Sequence, residues 1–227
     1  MGFKNFIAQR LHHYKYIIFI IVLAVMIAFL FWYSTASDDE FLAVVSFFEY
    51  YVNKSEALGV LIFLVLNSAS VMLGPFTSFP LVPISVVVWG EFNTIILLLA
   101  GWLLGDVVAY YIGYYFSYPA VRYLVSAERL DSWISTVSER TNFYVLFLFR
   151  MAFPAEIGYA FGLIKYDLGK YLILTLIAEI PFAIILAYLG GAFINKHLAT
   201  FLGLVIAVGV IIIAALYLFS RSSKKQH

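Results

Sequence analysis

From Leu198 to Phe219 the chain runs through 22 residues without one charged side chain. A helix needs about 20 such residues to cross a hydrocarbon core about 30 Å thick. Further apolar runs lie at 16–33, 57–90, 94–116, 143–164 and 168–192, those at 57–90 and 143–164 being interrupted. Inside a bilayer every backbone N–H and C=O must find a partner within the protein, and runs of this length do so as helices. The fold class that follows is an all-α polytopic membrane protein. Composition agrees: 12% of the residues are charged, against about 25% in soluble domains.

Several chemistries drop out at once. The net charge of +1 gives no field to attract nucleic acid. With no cysteine, disulfides, thiol catalysis and Cys-ligated metal are excluded. The histidines (His12, His13, His197 and His227) stand near the termini or in a loop, and no HExxH or glycine-rich phosphate loop is present. No metal, no cofactor and no enzymatic centre are therefore expected. At the N-terminus Lys4, Arg10 and Lys15 precede the run 16–33. That run is longer than the 7–15 residues of a signal-peptide core, so a retained anchor helix is expected there.

Two runs carry helix breakers. Residues 74–90, GPFTSFPLVPISVVVWG, hold Pro75, Pro80 and Pro83 between glycines, and 143–164 is broken at Pro154 and Gly158. Proline costs roughly 3 kcal/mol inside a helix, and broken backbone at membrane depth survives only against protein or a watery cavity. Each break is followed by a long helix. The first leads from Phe79-Pro80 to AYYIGYYF (109–116), the second from Phe153-Pro154 to AYLGGAF (187–193). The expected architecture is an inverted repeat: two re-entrant helical hairpins, each followed by a long transmembrane helix, plus N- and C-terminal transmembrane helices. Its domains are an anchor and amphipathic segment over 1–56, the repeat over 57–193, and a last helix with a basic tail over 194–227.

Charge sets the orientation. With the hairpins re-entering, eleven Lys and Arg residues (Lys4, Arg10, Lys15, Arg122, Arg129, Arg140, Lys165, Lys170, Arg221, Lys224 and Lys225) share one side, and Lys54 and Lys196 stand on the other. Both termini are then cytoplasmic. A version in which 57–73 and 76–90 cross separately has the same parity, so charge does not choose between the two.

Both long helices carry small residues at a spacing of four: Gly101, Gly105, Ala109 and Gly113 in one, and Thr175, Glu179, Ala183, Ala187 and Gly191 in the other. Such stripes let helices approach closely. Glu179 lies in its helix's stripe and should face protein; Asp106 lies beside the other. Two shorter segments are amphipathic, 38–55 and SAERLDSWISTVSERTN, where Leu130, Trp133, Ile134 and Val137 form a stripe that would cover the protein's own rim.

A charge at the bilayer centre costs about 2.5–3.5 kcal/mol on insertion scales. Arg150, Asp106, Glu156 and Glu179 therefore need partners, a cavity or neutral carboxyls. Arg150 could pair with one of these acids or reach the cytoplasmic face. It could equally bind substrate, since a guanidinium offers a planar fork of donors that fits phosphate oxygens. The buried acids are candidate proton or charge partners. Glu91 reads as a solvated turn residue.

The stretch FRMAFPAEIGYAFGLIKYDLGKYLILTLIAEIPFAIILAYLGG resembles the second-half signature of the DedA/VTT (SNARE-associated Golgi protein) membrane family. The residues that carry the likeness are Arg150, Pro154, Tyr159, Gly162, Leu163, Pro181, Tyr188 and Gly190. The first half, FPLVPISVVVWGEFNTIILLLAGWLLGDVVAYYIGYYF, is similar to that family's proline-bearing hairpin and glycine-rich helix. The likeness covers about residues 60–193. No acid precedes the first prolines, and Tyr114 stands where an arginine is common, which places the chain nearer the Golgi-associated branch than the DedA branch.

What the resemblance implies is lipid movement: phospholipid scrambling, or translocation of a polyprenyl-phosphate carrier in a prokaryotic cell (inner) membrane. The implied partner is a membrane lipid with a phosphate head group, and a homo-oligomer is left open. The expected substrate-binding residues are Arg150, Pro154, Glu156, Tyr159, Gly162, Pro80 and Pro83. Asp106 and Glu179 serve as proton or charge partners, and Pro181 as a helix break. Two other readings stand beside it: a proton-coupled transporter of a small polar solute, and a non-transporting structural or assembly factor.

Overall fold

The structure is a computed structural model that describes residues 46, 50, 52, 54–73, 81–116, 118–139, 142–153 and 155–223. Apart from Ser46 these belong to one compact unit, Phe47–His227. The expected anchor helix over 16–33, most of the amphipathic segment 38–55, and the prolines Pro75, Pro80 and Pro154 lie outside the described residues.

The elements formed by the described residues are all helices, with no strand among them. In chain order they form α1 (Glu56–Leu73), α2 (Leu81–Tyr115), α3 (Tyr118–Val121), α4 (Ala127–Glu139), α5 (Phe143–Ala152), a 3-10 turn (Ala155–Ile157), α6 (Gly158–Leu163), α7 (Leu168–Ile194) and α8 (Leu198–Ser223). Among them α2, α7 and α8 are long and apolar enough to cross a membrane. At 1.5 Å per residue α7 (27 residues) and α8 (26 residues) span about 40 Å each.

Helix α2 is not one rod. Gly90 interrupts it with φ 77 and ψ 167, a conformation open in practice to glycine alone. The stretch before the break, 81–89, is about 14 Å long, and the stretch after it, 91–115, about 37 Å. Later in the chain α5 (10 residues) and α6 (6 residues) measure about 15 and 9 Å. Neither can cross a bilayer by itself.

Local chemistry sets the ends. The Asn142 side chain accepts the Tyr144 N–H at 2.9 Å to start α5, and Asp167 accepts the Lys170 N–H at 2.8 Å to start α7. α5 stops at Phe153, the residue before a proline, where the helical conformation is disfavoured. α6 and α7 end alike, on a left-handed lysine. Lys165 (φ 56) and Lys196 (φ 55) take the place usually given to glycine. The following amides close the turn, Tyr166 N–H on the Phe161 carbonyl and His197 N–H on that of Ala192.

The small-residue stripes do what their spacing implies. Gly101, Gly105, Ala109 and Gly113 are all buried. A Cβ on Gly101 would meet Asn67, and one on Gly105 would meet the Ser68 carbonyl, both on α1. Gly113 and Gly162 face each other across α2 and α6, where a Cβ on either would run into the other helix's backbone. On α7, Thr175, Glu179, Ala183, Ala187 and Gly191 are buried, while Ile173, Ile177, Ile180 and Ile184 point outward as a lipid-facing row. Pro181 lies within α7, which continues through it. The expected break there is only a missing N–H, since proline cannot donate to the carbonyl four residues back.

Helix α4 lays Leu130, Trp133 and Val137 into the core formed with Tyr159, Phe161 and Tyr171. Its apolar stripe covers the protein itself. α8 packs on α5 and α7, with Phe219 stacked on Phe149 at 5.4 Å between ring centroids.

Candidate functional site

Three of the four intramembrane charges meet. Arg150, on the last turn of α5, is 6% exposed; Asp106 on α2 is fully enclosed, and Glu179 on α7 is 5% exposed. A single guanidinium nitrogen, Nη2, serves both acids. It donates to Glu179 Oε1 at 2.5 Å and to Asp106 Oδ2 at 3.2 Å. Tyr171, one turn into α7 and fully buried, donates its hydroxyl to Asp106 Oδ1 at 2.6 Å. Helices α2, α5 and α7 thus each contribute a charged group to one enclosed cluster, and the small residues beside them let the helices come close enough to do so.

The cluster is incomplete in its hydrogen bonding. Arg150 Nε, Glu179 Oε2 and the Thr175 hydroxyl are buried without a partner. Thr175 stands one turn before Glu179 on the same face of α7. A buried polar atom left unpaired costs roughly 1–3 kcal/mol, so three in one neighbourhood form a surface ready to hold a polar group. Nε of Arg150 is left without a partner beside Nη2, the nitrogen that both acids share. A two-point match to the oxygens of a phosphate or carboxylate would use Nε together with Nη2, and so would displace one of the acids from Nη2.

The profile of the VTT domain matches residues 65–192. The chain belongs to the VTT domain family. This is a membrane-associated family whose members are commonly proposed as transporters or flippases, and the protein is an integral membrane protein. No match was found among curated proteins or among solved structures.

Within the VTT domain the remaining expected site residues are dispersed. Glu156 sits in the 3-10 turn, half-buried, and the charge that acts on it is Arg129 of α4 rather than Arg150. Tyr159 is fully buried in the core with its hydroxyl unpartnered. Gly162 makes the backbone crossing with α2 described above. Pro83 lies in the short stretch 81–89, against Gly190 of α7. Pro80 and Pro154 fall outside the described residues, and Pro181 is on α7 two residues beyond Glu179. Glu91, expected in solvent, is partly covered and abuts Gly191.

Sequence reasoning missed Tyr171 and Thr175. Their signal was positional: Tyr171, Thr175 and Glu179 repeat at a spacing of four, so a stripe already drawn through Thr175 and Glu179 extends one step back to Tyr171. A second polar seam also went unremarked. Asn67, fully buried on α1, donates to the Phe63 carbonyl at 2.9 Å and leaves its Oδ1 unpartnered. Beside it Ser68 donates to the carbonyl of Gly101 at 2.9 Å.

Proposed function

We propose that this VTT-domain protein is a lipid translocase in which Arg150 receives the phosphate head group, with Asp106 and Glu179 balancing charge or protons. The observation that carries the reading is the guanidinium of Arg150. It is held at the meeting of three helices by one nitrogen, and its Nε is buried and unpartnered. A pair built for structure alone would satisfy Nε as well; this one leaves that donor in reserve.

The architecture proposed with it is an inverted repeat of two re-entrant hairpins. Its support is the way each return segment packs. The first hairpin's return, 81–89, lies against Gly190 near the end of α7, while the second's return, α6, lies against Gly113 near the end of α2. Each half thus seats its short helix on the far end of the other half's long one. The 3-10 turn at the tip of the second hairpin also packs against α1 of the first. Inverted repeats with broken helices place a substrate site near the midplane. With the basic residues where they are, both termini face the cytoplasm, and the protein works without catalysis in a cell membrane, moving a phosphate-bearing lipid.

The test is a lipid-flip assay in proteoliposomes with the full chain. Wild type should equalise a labelled phospholipid between leaflets, and Arg150→Ala should reduce that rate to the protein-free background while the protein stays folded. Undiminished flipping by folded Arg150→Ala would overturn the reading.

A further inference from the structure

The cluster's charge does not balance. Arg150 keeps its proton under all ordinary conditions, so two ionised carboxylates beside it leave a net charge of minus one, enclosed among helices. Among the described residues, Arg150 is the cation paired with these acids. On the neighbouring elements, α1 carries only Glu56 in its first turn, and α2 adds only Glu91 at its far end. α6 has no charged residue, only Tyr159. Lys170 is in the exposed first turn of α7, Lys165 lies over the Tyr114 ring, Arg129 acts on Glu156, and Arg221 is in the last turn of α8. An unpaired charge in such a place is strongly disfavoured. One bound proton makes the cluster neutral.

The two carboxylates are unequally placed to take that proton. Asp106 is fully enclosed and uses both oxygens as acceptors, Oδ1 for the Tyr171 hydroxyl at 2.6 Å and Oδ2 for Arg150 at 3.2 Å. Donors on both oxygens favour the anion. Glu179 has one oxygen occupied, by Arg150, and its Oε2 is buried with no donor. A protonated Glu179 keeps Oε1 as a carbonyl acceptor for Arg150 and bears the proton on Oε2. The Thr175 hydroxyl, one turn away on the same helix face, is likewise buried without a partner.

We infer that Glu179 carries the exchangeable proton of this cluster, and that Tyr171 is the positioning residue that keeps Asp106 the standing anion beside Arg150. The location of the proton stands on the geometry alone; its use in lipid movement rests on the function proposed above. In that use a phosphate at Arg150 brings further negative charge to the cluster, so Glu179 holds its proton more tightly while the head group is bound.

The experiment is isotope-edited infrared spectroscopy of the full chain in liposomes across a pH series, with carbon-13 on the carboxyls of either glutamate or aspartate. Wild type should show the C=O stretch of a protonated carboxyl that shifts with the glutamate label, ignores the aspartate label and is missing from Glu179→Gln. In Tyr171→Phe, Asp106 loses a donor to its anion and gains proton affinity. Part of the band should then follow the aspartate label, and the pH at which half of it disappears should rise by about one to two units. A wild-type band that follows the aspartate label overturns the inference, as does a Glu179→Gln spectrum identical to wild type. A Tyr171→Phe spectrum unchanged in both label response and midpoint removes the role of Tyr171. If the spectra behave as stated while the flip rate is flat with pH, the assignment of the proton is upheld and only its part in transport is lost.

Discussion

The two halves of the VTT domain use the same helix contact for different ends. On α2, twelve residues before the last stripe glycine, Gly113, stands Gly101; on α7, twelve before Gly191, stands Glu179. Gly101 lies against Asn67 of α1, and Glu179 pairs with Arg150 of α5. One half packs α1 on its long helix with an amide over a glycine. The other places an ion pair at the corresponding depth. Packing alone asks for no more than the first arrangement, as the first half demonstrates with Asn67, Ser68 and Gly101. The charge in the second half is thus an addition that packing of this kind does not require, and it is where the proposed function is placed.

The comparison breaks most visibly if Arg150 and Asn67 prove equally replaceable. Arg150→Leu leaves Asp106 and Glu179 without their cation, and breaking a buried pair from one side costs about 3–5 kcal/mol. The loss should be smaller at pH 5 than at pH 8, because protonation removes the charge that Arg150 neutralised. Asn67→Leu gives up one bond to the Phe63 carbonyl but also removes the orphaned Oδ1, so its cost should stay within about 1 kcal/mol. Thermal unfolding in detergent at both pH values measures the difference. Arg150→Lys sharpens the point: it keeps the charge and stability but loses the planar fork, so lipid flipping should fall about tenfold or more while unfolding moves little. Equal tolerance of Leu at both positions, with flipping intact, would make the two seams alike.

The all-helical membrane class was legible in the sequence, because bilayer-length apolar runs constrain the backbone strongly. The breaks were less so, since α2 is interrupted at Gly90 and α7 continues through Pro181. The stripes were legible too, since a spacing of four puts residues on one helix face. Arg150, Asp106 and Glu179 could be singled out because charge in an apolar run is costly. What could not be read was which acids meet the arginine. Glu156, six residues from Arg150, is carried away from it by the end of α5 and the tight 3-10 turn, toward Arg129. Asp106 and Glu179, 44 and 29 residues distant, arrive by tertiary packing. Tyr171 was hidden by company: one of 17 tyrosines, it differs from the rest only in what it faces. The left-handed lysines at 165 and 196 occupy positions where glycine would have been the signal, and so gave none.

A middle-sized effect tests whether close backbone approach, rather than helix propensity, accounts for the stripe glycines. Gly113→Ala and Gly162→Ala each push a methyl group into backbone of the facing helix, which cannot swing aside as a side chain can. Overpacking of this kind costs about 1–3 kcal/mol. Gly203 and Gly209 on α8 have open space at the same point, and alanine there should be neutral or favourable by up to about 1 kcal/mol through helix propensity. Unfolding of the four variants side by side gives the answer. Destabilisation at Gly203 equal to that at Gly113 would mean that the crossing of α2 with α6 is not the tight contact described.

The smallest expected difference separates two tyrosines that the sequence presents as equivalents. Tyr110 follows Ala109 in AYYIG, and Tyr188 follows Ala187 in AYLGG. Tyr110 is 4% exposed and its hydroxyl donates to the Tyr166 carbonyl at 2.5 Å, tying the end of α2 to the loop between α6 and α7. Tyr188 is 49% exposed on the outer side of α7. Tyr110→Phe removes that bond and leaves the Tyr166 carbonyl without this donor, so it should cost about 0.5–1.5 kcal/mol. Tyr188→Phe should stay within about 0.5 kcal/mol of wild type. Chemical unfolding with replicate midpoints resolves a gap of this size. If the two variants are indistinguishable, the tie from α2 to the second half contributes nothing, and the likeness of AYYIG to AYLGG extends from sequence to energetics. If only Tyr110→Phe is destabilised, the two halves share an outline while each draws its stability from contacts of its own.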